Sequence, residues 1–249
     1  MILSHRHKFI FLHCRKTAGT SIKAMLAPHL GERDLQVGGW KDSLLAGGRT
    51  NQKFKRDLAH PVVFAHIAYA AMRGKSPFDA EILQESHKFK YRKALGPSPE
   101  HAEASKVRAF VGEDWDCYFK FCFVRNPYAK AVSDWKHRMR VKKKDVSFAE
   151  FLRMMIGEIQ DIGLLPHMRD NWPIYTIDDR IVADYVGRFE NLDQDLKAVF
   201  ERLSLPFSGR LAETNRARPY AYRDYYDVET RKMTARLFEK EIETFRYQF

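Results

Sequence analysis

Hydrophobic residues along this chain gather in short runs, and each run ends in charged or turn-forming residues. Residues 8–13 predict a strand that leads into a helix from about residue 20 to 30. Residues 31–60 hold two glycine pairs and many charges, which predicts loops with a short helix. Pro61-Val-Val-Phe-Ala-His66 is a compact β-branched run and predicts a second strand. Residues 71–115 are polar and broken by Pro77, Pro97 and Pro99. Residues 120–125 predict a third strand, followed by a helix over 127–139 that Pro127 can open. Ser147-Phe-Ala-Glu150 has the spacing of a capping box for another helix. A strand over 181–189 and helices over 191–203 and 227–243, the first capped by Asn191, complete the pattern. Strands alternating with helices imply an α/β fold, with a mostly parallel central sheet flanked by helices on both faces. Ligands then gather beyond the carboxyl ends of the strands.

With 249 residues and 45% hydrophobic content, the chain can bury one sizeable core. A single domain over 1–249 is expected, with residues 70–115 as a candidate substrate-covering insertion. The net charge of +11 favours anionic partners: a nucleotide, an acidic glycan, nucleic acid or a membrane surface. Cys14, Cys117 and Cys122 are odd in number and widely spaced, which argues against a disulfide framework and a zinc site. A reducing compartment is the default. No run approaches the roughly 18 apolar residues of a membrane span. His5, Arg6, His7 and Lys8 interrupt any leader. A cytoplasmic location is the expectation.

The densest chemistry lies in Phe9-Ile-Phe-Leu-His-Cys-Arg-Lys-Thr-Ala-Gly-Thr-Ser21. An apolar strand meets two cations, a glycine and three hydroxyls, and then a helix begins. Backbone N–H groups at a helix N-terminus point at a bound oxyanion, and the helix dipole favours negative charge there. Lys16 adds a mobile charge, Thr17, Thr20 and Ser21 add hydroxyl donors, and Gly19 lets the backbone come close. The lysine precedes the glycine, so this is no Walker A loop. A second block runs Lys120-Phe-Cys-Phe-Val-Arg-Asn-Pro-Tyr-Ala-Lys-Ala-Val-Ser-Asp-Trp135. Arg125 ends its strand, and Ser133 follows about two turns into the next helix. A guanidinium fork and a hydroxyl so placed can converge on one phosphate.

Lys16-Thr-Ala-Gly-Thr-Ser21 resembles the 5′-phosphosulfate loop of sulfotransferases that use 3′-phosphoadenosine 5′-phosphosulfate (PAPS). The likeness is to the carbohydrate branch related to the 2-O-sulfating enzymes. Arg125, Pro127 and Ser133 resemble the 3′-phosphate site of the same family. Residues 185–196, Asn215-Arg-Ala-Arg-Pro-Tyr220, Asp224-Tyr-Tyr-Asp227 and Phe245-Arg-Tyr-Gln-Phe249 are similar to its C-terminal third. The resemblance implies a three-layer, P-loop-NTPase-like sulfotransferase fold. It implies Arg15, Lys16, Thr17, Ala18, Gly19, Thr20, Ser21, Arg125 and Ser133 as cofactor-binding residues, with Arg216 and Arg218 in a loop over the nucleotide. PAPS is then the co-substrate, the 3′,5′-bisphosphate (PAP) the product, and no metal is required.

Sulfuryl transfer needs a cation on the leaving side, donors around the sulfuryl oxygens and a base for the acceptor hydroxyl. Lys16 fits the first. His66, placed at a strand end, is the expected base, and Val-Phe-Ala-His66-Ile also resembles the family's strand that ends in the catalytic histidine. His60 and Glu113 are the alternatives. The acceptor is expected to be a glycan or glycolipid hydroxyl, acidic if Arg138, Arg140, Lys142, Lys143 and Lys144 help to bind it. Two other classes compete: a non-catalytic polyanion or nucleic-acid binder driven by charge, and a divergent nucleotide kinase. No RNA-binding aromatic signature or helix-turn-helix supports a specific nucleic-acid partner.

Overall fold

A computed structural model describes residues 1–207, 209 and 221–249. In chain order it contains β1 (Ile2–Ser4), β2 (Phe9–Phe11), α1 (Gly19–Leu26), β3 (Leu35–Gln36), α2 (Trp40–Leu45), α3 (Gln52–Leu58) and α4 (Pro61–Met72). Then follow α5 (Ala80–Leu95), α6 (Ala104–Val111), α7 (Asp114–Cys117), β4 (Phe119–Val124), α8 (Pro127–Lys142), α9 (Phe148–Ile156) and α10 (Trp172–Tyr175). The last elements are β5 (Thr176–Ile177), β6 (Arg180–Ile181), β7 (Tyr185–Arg188), α11 (Leu192–Arg202), α12 (Val228–Leu237) and α13 (Glu239–Phe245). They form two compact units.

The first unit draws on residues 1–123 and, among the described residues of its second segment, 173–207 and 209, and carries a five-stranded sheet in the order β3-β1-β2-β4-β7. β1 pairs antiparallel with both β2 and β3, and β2 pairs parallel with β4, Phe9 opposite Phe119 and Phe11 opposite Phe121. Strands β2, β3 and β4 thus run one way and β1 runs against them. The sheet is mostly parallel and flanked by helices, as the alternating pattern predicts. Its turn from β1 to β2 is fixed by Asp34, which accepts from Ser4 Oγ at 2.5 Å and from the N–H of His5 at 2.8 Å. His5 and His7 therefore belong to a turn, with His5 Nδ1 2.8 Å from the Tyr118 hydroxyl. Ile2, Phe9, Phe11, Phe121 and Phe123 present one face of the sheet to Ile22 and Leu26 of α1 and to Leu196, Val199 and Phe200 of α11. Ile10, Leu12 and Cys122, on the other side of the pleat, are equally buried. Burying both faces is what makes these strands continuous apolar runs.

The second strand expected at residues 61–66 does not form. Those residues open α4, with Pro61 at its first turn and His60 Nδ1 accepting from the N–H of Val62. The apolar run continues through Ile67-Ala-Tyr-Ala-Ala-Met72, twice the length of an ordinary strand and rich in the best helix former. The polar region after it is also helical. Asp79 caps α5 by accepting from the N–H groups of Glu81 and Ile82, and Pro99 opens a single 3-10 turn ending at His101. Asn191 stands at the N-cap of α11 but its side chain makes no cap hydrogen bond.

The described residues of the second unit, 124–172 and 221–249, are mainly helical. α8, α9 and α12 enclose Val132, Phe151, Leu152, Met155, Met233 and Phe238. Ser147 and Glu150 form both arms of the predicted capping box of α9. Lys130 of α8 and Glu241 of α13 make a buried ion pair at 2.5 Å.

Candidate active site

The loop between β2 and α1 leaves the sheet at its carboxyl edge. Leu12 extends the ladder by donating to Phe121 O at 2.9 Å, and the chain then turns away. Thr17 is fully buried, and its hydroxyl donates to Cys14 O at 2.9 Å, which closes the turn. The Thr17 hydroxyl is thus committed to the loop's own backbone. Lys16 and Ala18, on either side of it, both adopt the left-handed conformation with φ 62°. Alternation of this kind turns successive N–H groups to one side and forms an anion-binding concavity. Ala18 is the N-cap of α1 and offers no side-chain cap, and the first turn holds no acid. The N–H groups of that turn have no intrahelical partner, so the helix start is built for an external acceptor. Arg15, Lys16 and Thr20 are half-buried around it, and Ser21 is buried.

Gly19 plays a different part from the one expected. Its φ is not left-handed; instead a Cβ there would stand 1.9 Å from Cδ2 and Nε2 of His13. The glycine makes room for an imidazole packed under the loop. That ring stacks on Phe11 at 5.6 Å and meets the ring of His101 at 4.3 Å. His101 Nδ1 lies 2.8 Å from the carbonyl oxygen of His13. A carbonyl only accepts, so Nδ1 carries the proton and Nε2 keeps the lone pair. Burial, with Lys23 next, holds His13 well below the ordinary imidazole range. Burial also pushes His101 down, against the partial upward pull of Glu100. Both rings are neutral at pH 7.

Behind them Lys23 of α1 is fully buried, donates to Val37 O at 2.7 Å and is lowered by burial to about 8. Glu100 accepts from Lys88 at 3.0 Å. Burial works upward on its carboxyl, but Lys88 outweighs it and holds it below the usual carboxylate range. Sequence reasoning missed both His13 and His101. The signal for His101 was a proline at the start of its turn, which marks a rigid bend.

The other expected residues lie elsewhere. His66 is in the middle of α4, where Nδ1 pairs with Ser86 Oγ at 2.8 Å and the ring packs on Phe89 at 4.1 Å. Its place at a strand end, the positional ground for making it the base, is gone. His60 is occupied as a helix cap, and Glu113 is exposed at the start of α7. In the second unit, Arg125 directly follows β4 and Ser133 lies on α8, both half-buried. Asn126 caps α8 by accepting from the N–H of Tyr128. Of the basic run, Arg138 lies 3.8 Å from Asp134, and Lys144 donates to Ile162 O. Arg216 and Arg218 lie outside the described residues. A cavity of about 570 Å³, lined by Lys8, Phe119, Lys120, Asp184 and Arg202, sits at the amino ends of β2 and β4, away from the loop. Among the described residues, no helix is long and apolar enough to cross a membrane.

The fold is thus of the α/β class, with a mostly parallel central sheet flanked by helices and a strand–loop–helix turn at its carboxyl edge. The sequence profile of the sulfotransferase family matches residues 1–248, and the chain belongs to that family. It is 34% identical over 102 residues to an uncharacterized protein of Archaeoglobus fulgidus, a match covering 40% of this chain and 80% of the other. It is 26% identical over 125 residues to carbohydrate sulfotransferase 14 of Danio rerio and 27% identical over 116 residues to that of Mus musculus. Those matches cover 39% and 36% of this chain and 33% and 30% of the relatives, so it spans about a third of their length. No solved structure matches it.

Proposed function

We propose that this protein transfers a sulfuryl group from PAPS to a hydroxyl of a carbohydrate, as one catalytic domain over the whole chain, with a P-loop-like sheet. The family match and the carbohydrate sulfotransferase relatives support the reaction class. The observation that carries the donor site is the uncapped start of α1, flanked by left-handed Lys16 and Ala18. A sulfate ester on a 5′-phosphate fits it, because the N–H groups and Lys16 supply donors and positive charge without an opposing carboxylate in the first turn. By their likeness to the family's 3′-phosphate motif, Arg125 and Ser133 are assigned to the 3′-phosphate.

In this reading His101 is the base. Its Nδ1–H is anchored on the loop backbone, which aims Nε2 as the acceptor of a proton. The acceptor's oxygen bonds to sulfur as His101 Nε2 takes its proton. The bond from sulfur to the leaving 5′-phosphate oxygen breaks in line, and Lys16 neutralises the charge that collects there. The reaction then needs no metal. His66 is the second reading, carried by its likeness to the family's histidine. The test is incubation of the protein with PAPS carrying radiolabelled sulfur, a panel of neutral and acidic glycans, and chelator. Label in a glycan and release of PAP are expected; PAPS turnover by neither water nor glycan, or labelling of a peptide alone, would remove the carbohydrate assignment.

A further inference from the structure

The solvent-facing half of α4 has no charged or strongly polar side chain. At 100° per residue, Val62, Phe64, Ala65, Ala68, Tyr69, Ala71 and Met72 share one half of the helix. Val62 is 48% exposed, Phe64 66%, Tyr69 57% and Met72 87%. The opposite half is anchored: Val63 and Ala70 are buried, and His66 holds Ser86 and Phe89 of α5. Phe78, after the helix, is 87% exposed. A helix with its inner face packed and its outer face apolar is a surface built to meet something.

Charge says what it meets. Residues 49–75 contain six cations and one acid. The acid, Asp57, is buried and held by Lys53 at 2.7 Å and Lys90 at 2.5 Å. Arg49, Lys55 and Arg56 before the helix, and Arg73 and Lys75 after it, are exposed. Of the nearby acids, Asp79 is occupied capping α5, Glu81 faces Lys41, and Glu85 faces Lys88. Arg73 donates to the Tyr69 hydroxyl at 3.0 Å, so an aromatic ring and a cation sit together at one end of the apolar face. A second copy of the chain fits badly. Two-fold pairing along the helix would set Lys55 and Arg56 against Arg73 and Lys75 of the partner copy, like charge on like.

We propose that α4 with its basic flanks is a peripheral docking surface for an anionic lipid bilayer. The apolar side chains enter the acyl boundary, and the five exposed cations face the lipid phosphates. The proposal does not depend on the sulfuryl-transfer reading.

The test is flotation of the full chain with phosphatidylcholine vesicles and with vesicles that also contain phosphatidylserine, at low and high salt. The protein should float with the anionic vesicles and be partly released by salt. Phe64→Glu/Met72→Glu should lower partitioning by roughly tenfold or more with the melting temperature unchanged, since both side chains are exposed. Arg73→Glu/Lys75→Glu should lower it by a similar factor on anionic vesicles. Arg140→Glu/Lys142→Glu, in the other basic run, should leave it unchanged. Absence of flotation, flotation that survives the apolar variant, or equal loss in the Arg140/Lys142 control would overturn the proposal. So would a dimer on size exclusion that the Phe64/Met72 variant converts to monomer, because a second copy would then own the face.

Discussion

His101 donates its Nδ1–H to the backbone carbonyl of His13, the residue with which the loop leaves strand β2, at 2.8 Å. A side chain from the 3-10 turn at residues 99–101 is thereby tied to the backbone of the loop after β2, though 88 residues separate the two in the chain.

His101→Ala should lower kcat by roughly 10²–10⁴-fold while affinity for PAP hardly changes. His66→Ala, measured alongside, should leave kcat within a few-fold and lower the melting temperature slightly, through the lost Ser86 and Phe89 contacts. Reversal of these two results would return the role of base to His66.

The acid limb of the kcat/KM profile should lie well below pH 6.5, the ordinary imidazole value. Burial lowers His101 in the folded protein, so the lone pair at Nε2 survives into mildly acidic solution. The same sign governs stability. His13 and His101 are lowered on folding, so their contribution is fully present above about pH 6.5 and is lost as pH falls below it. Thermal melts between pH 7 and pH 5, on the wild type and on His101→Asn, measure the slope; a wild-type slope no steeper than that of the variant would contradict it.

Gly19→Ala should damage the loop. The added methyl group meets the His13 ring at 1.9 Å, and that ring is pinned between Phe11 and His101. A loss of about 1–3 kcal/mol is expected, with weakened PAP binding. Gly19→Ala in a His13→Ala background should recover much of the stability, and failure to recover would mean that the clash is not the cause.

The protein should bind PAP more tightly than 5′-AMP by the worth of a charge-assisted contact, about 1.5–3 kcal/mol. Lys16→Ala should reduce kcat at least about a hundredfold with the fold intact. Arg125→Ala should bring PAP affinity down to that of 5′-AMP. Calorimetry giving equal affinities in the wild type would cancel the assignment of Arg125 and Ser133.

Asp57→Asn should cost about 2–3 kcal/mol, because a side chain only 1% exposed would stop compensating Lys53 and Lys90, which are themselves partly solvated. Burial works upward on the Asp57 carboxyl, but His87, Lys53, Lys90 and Tyr91 outweigh it and hold it below the usual carboxylate range. Its contribution is therefore present above about pH 4 and lost as pH falls further. Urea titrations at pH 7 and pH 3 check both the size and the sign.

The sequence by itself determined what local rules can carry. Residues 9–11 and 119–124 are strands because their apolar runs are short and buried on both faces. α8 and α9 start where Pro127 and Ser147 place them, since capping is settled within four residues. The turn at Lys16–Ser21 between β2 and α1 was legible for the same reason: its lysine, glycine and hydroxyls are contiguous. Tertiary structure decided the rest. Residues 61–66 form a β-branched run compact enough for a strand, and it is their continuation into a twelve-residue segment, anchored by buried Val63 and Ala70, that makes them helix α4. The role of Gly19 depends on a ring folded beneath it, and the place of His101 depends on a contact across 88 residues. A histidine's chemistry is set by which carbonyl its Nδ1 meets and by how deeply it is buried, and neither quantity is local in the chain.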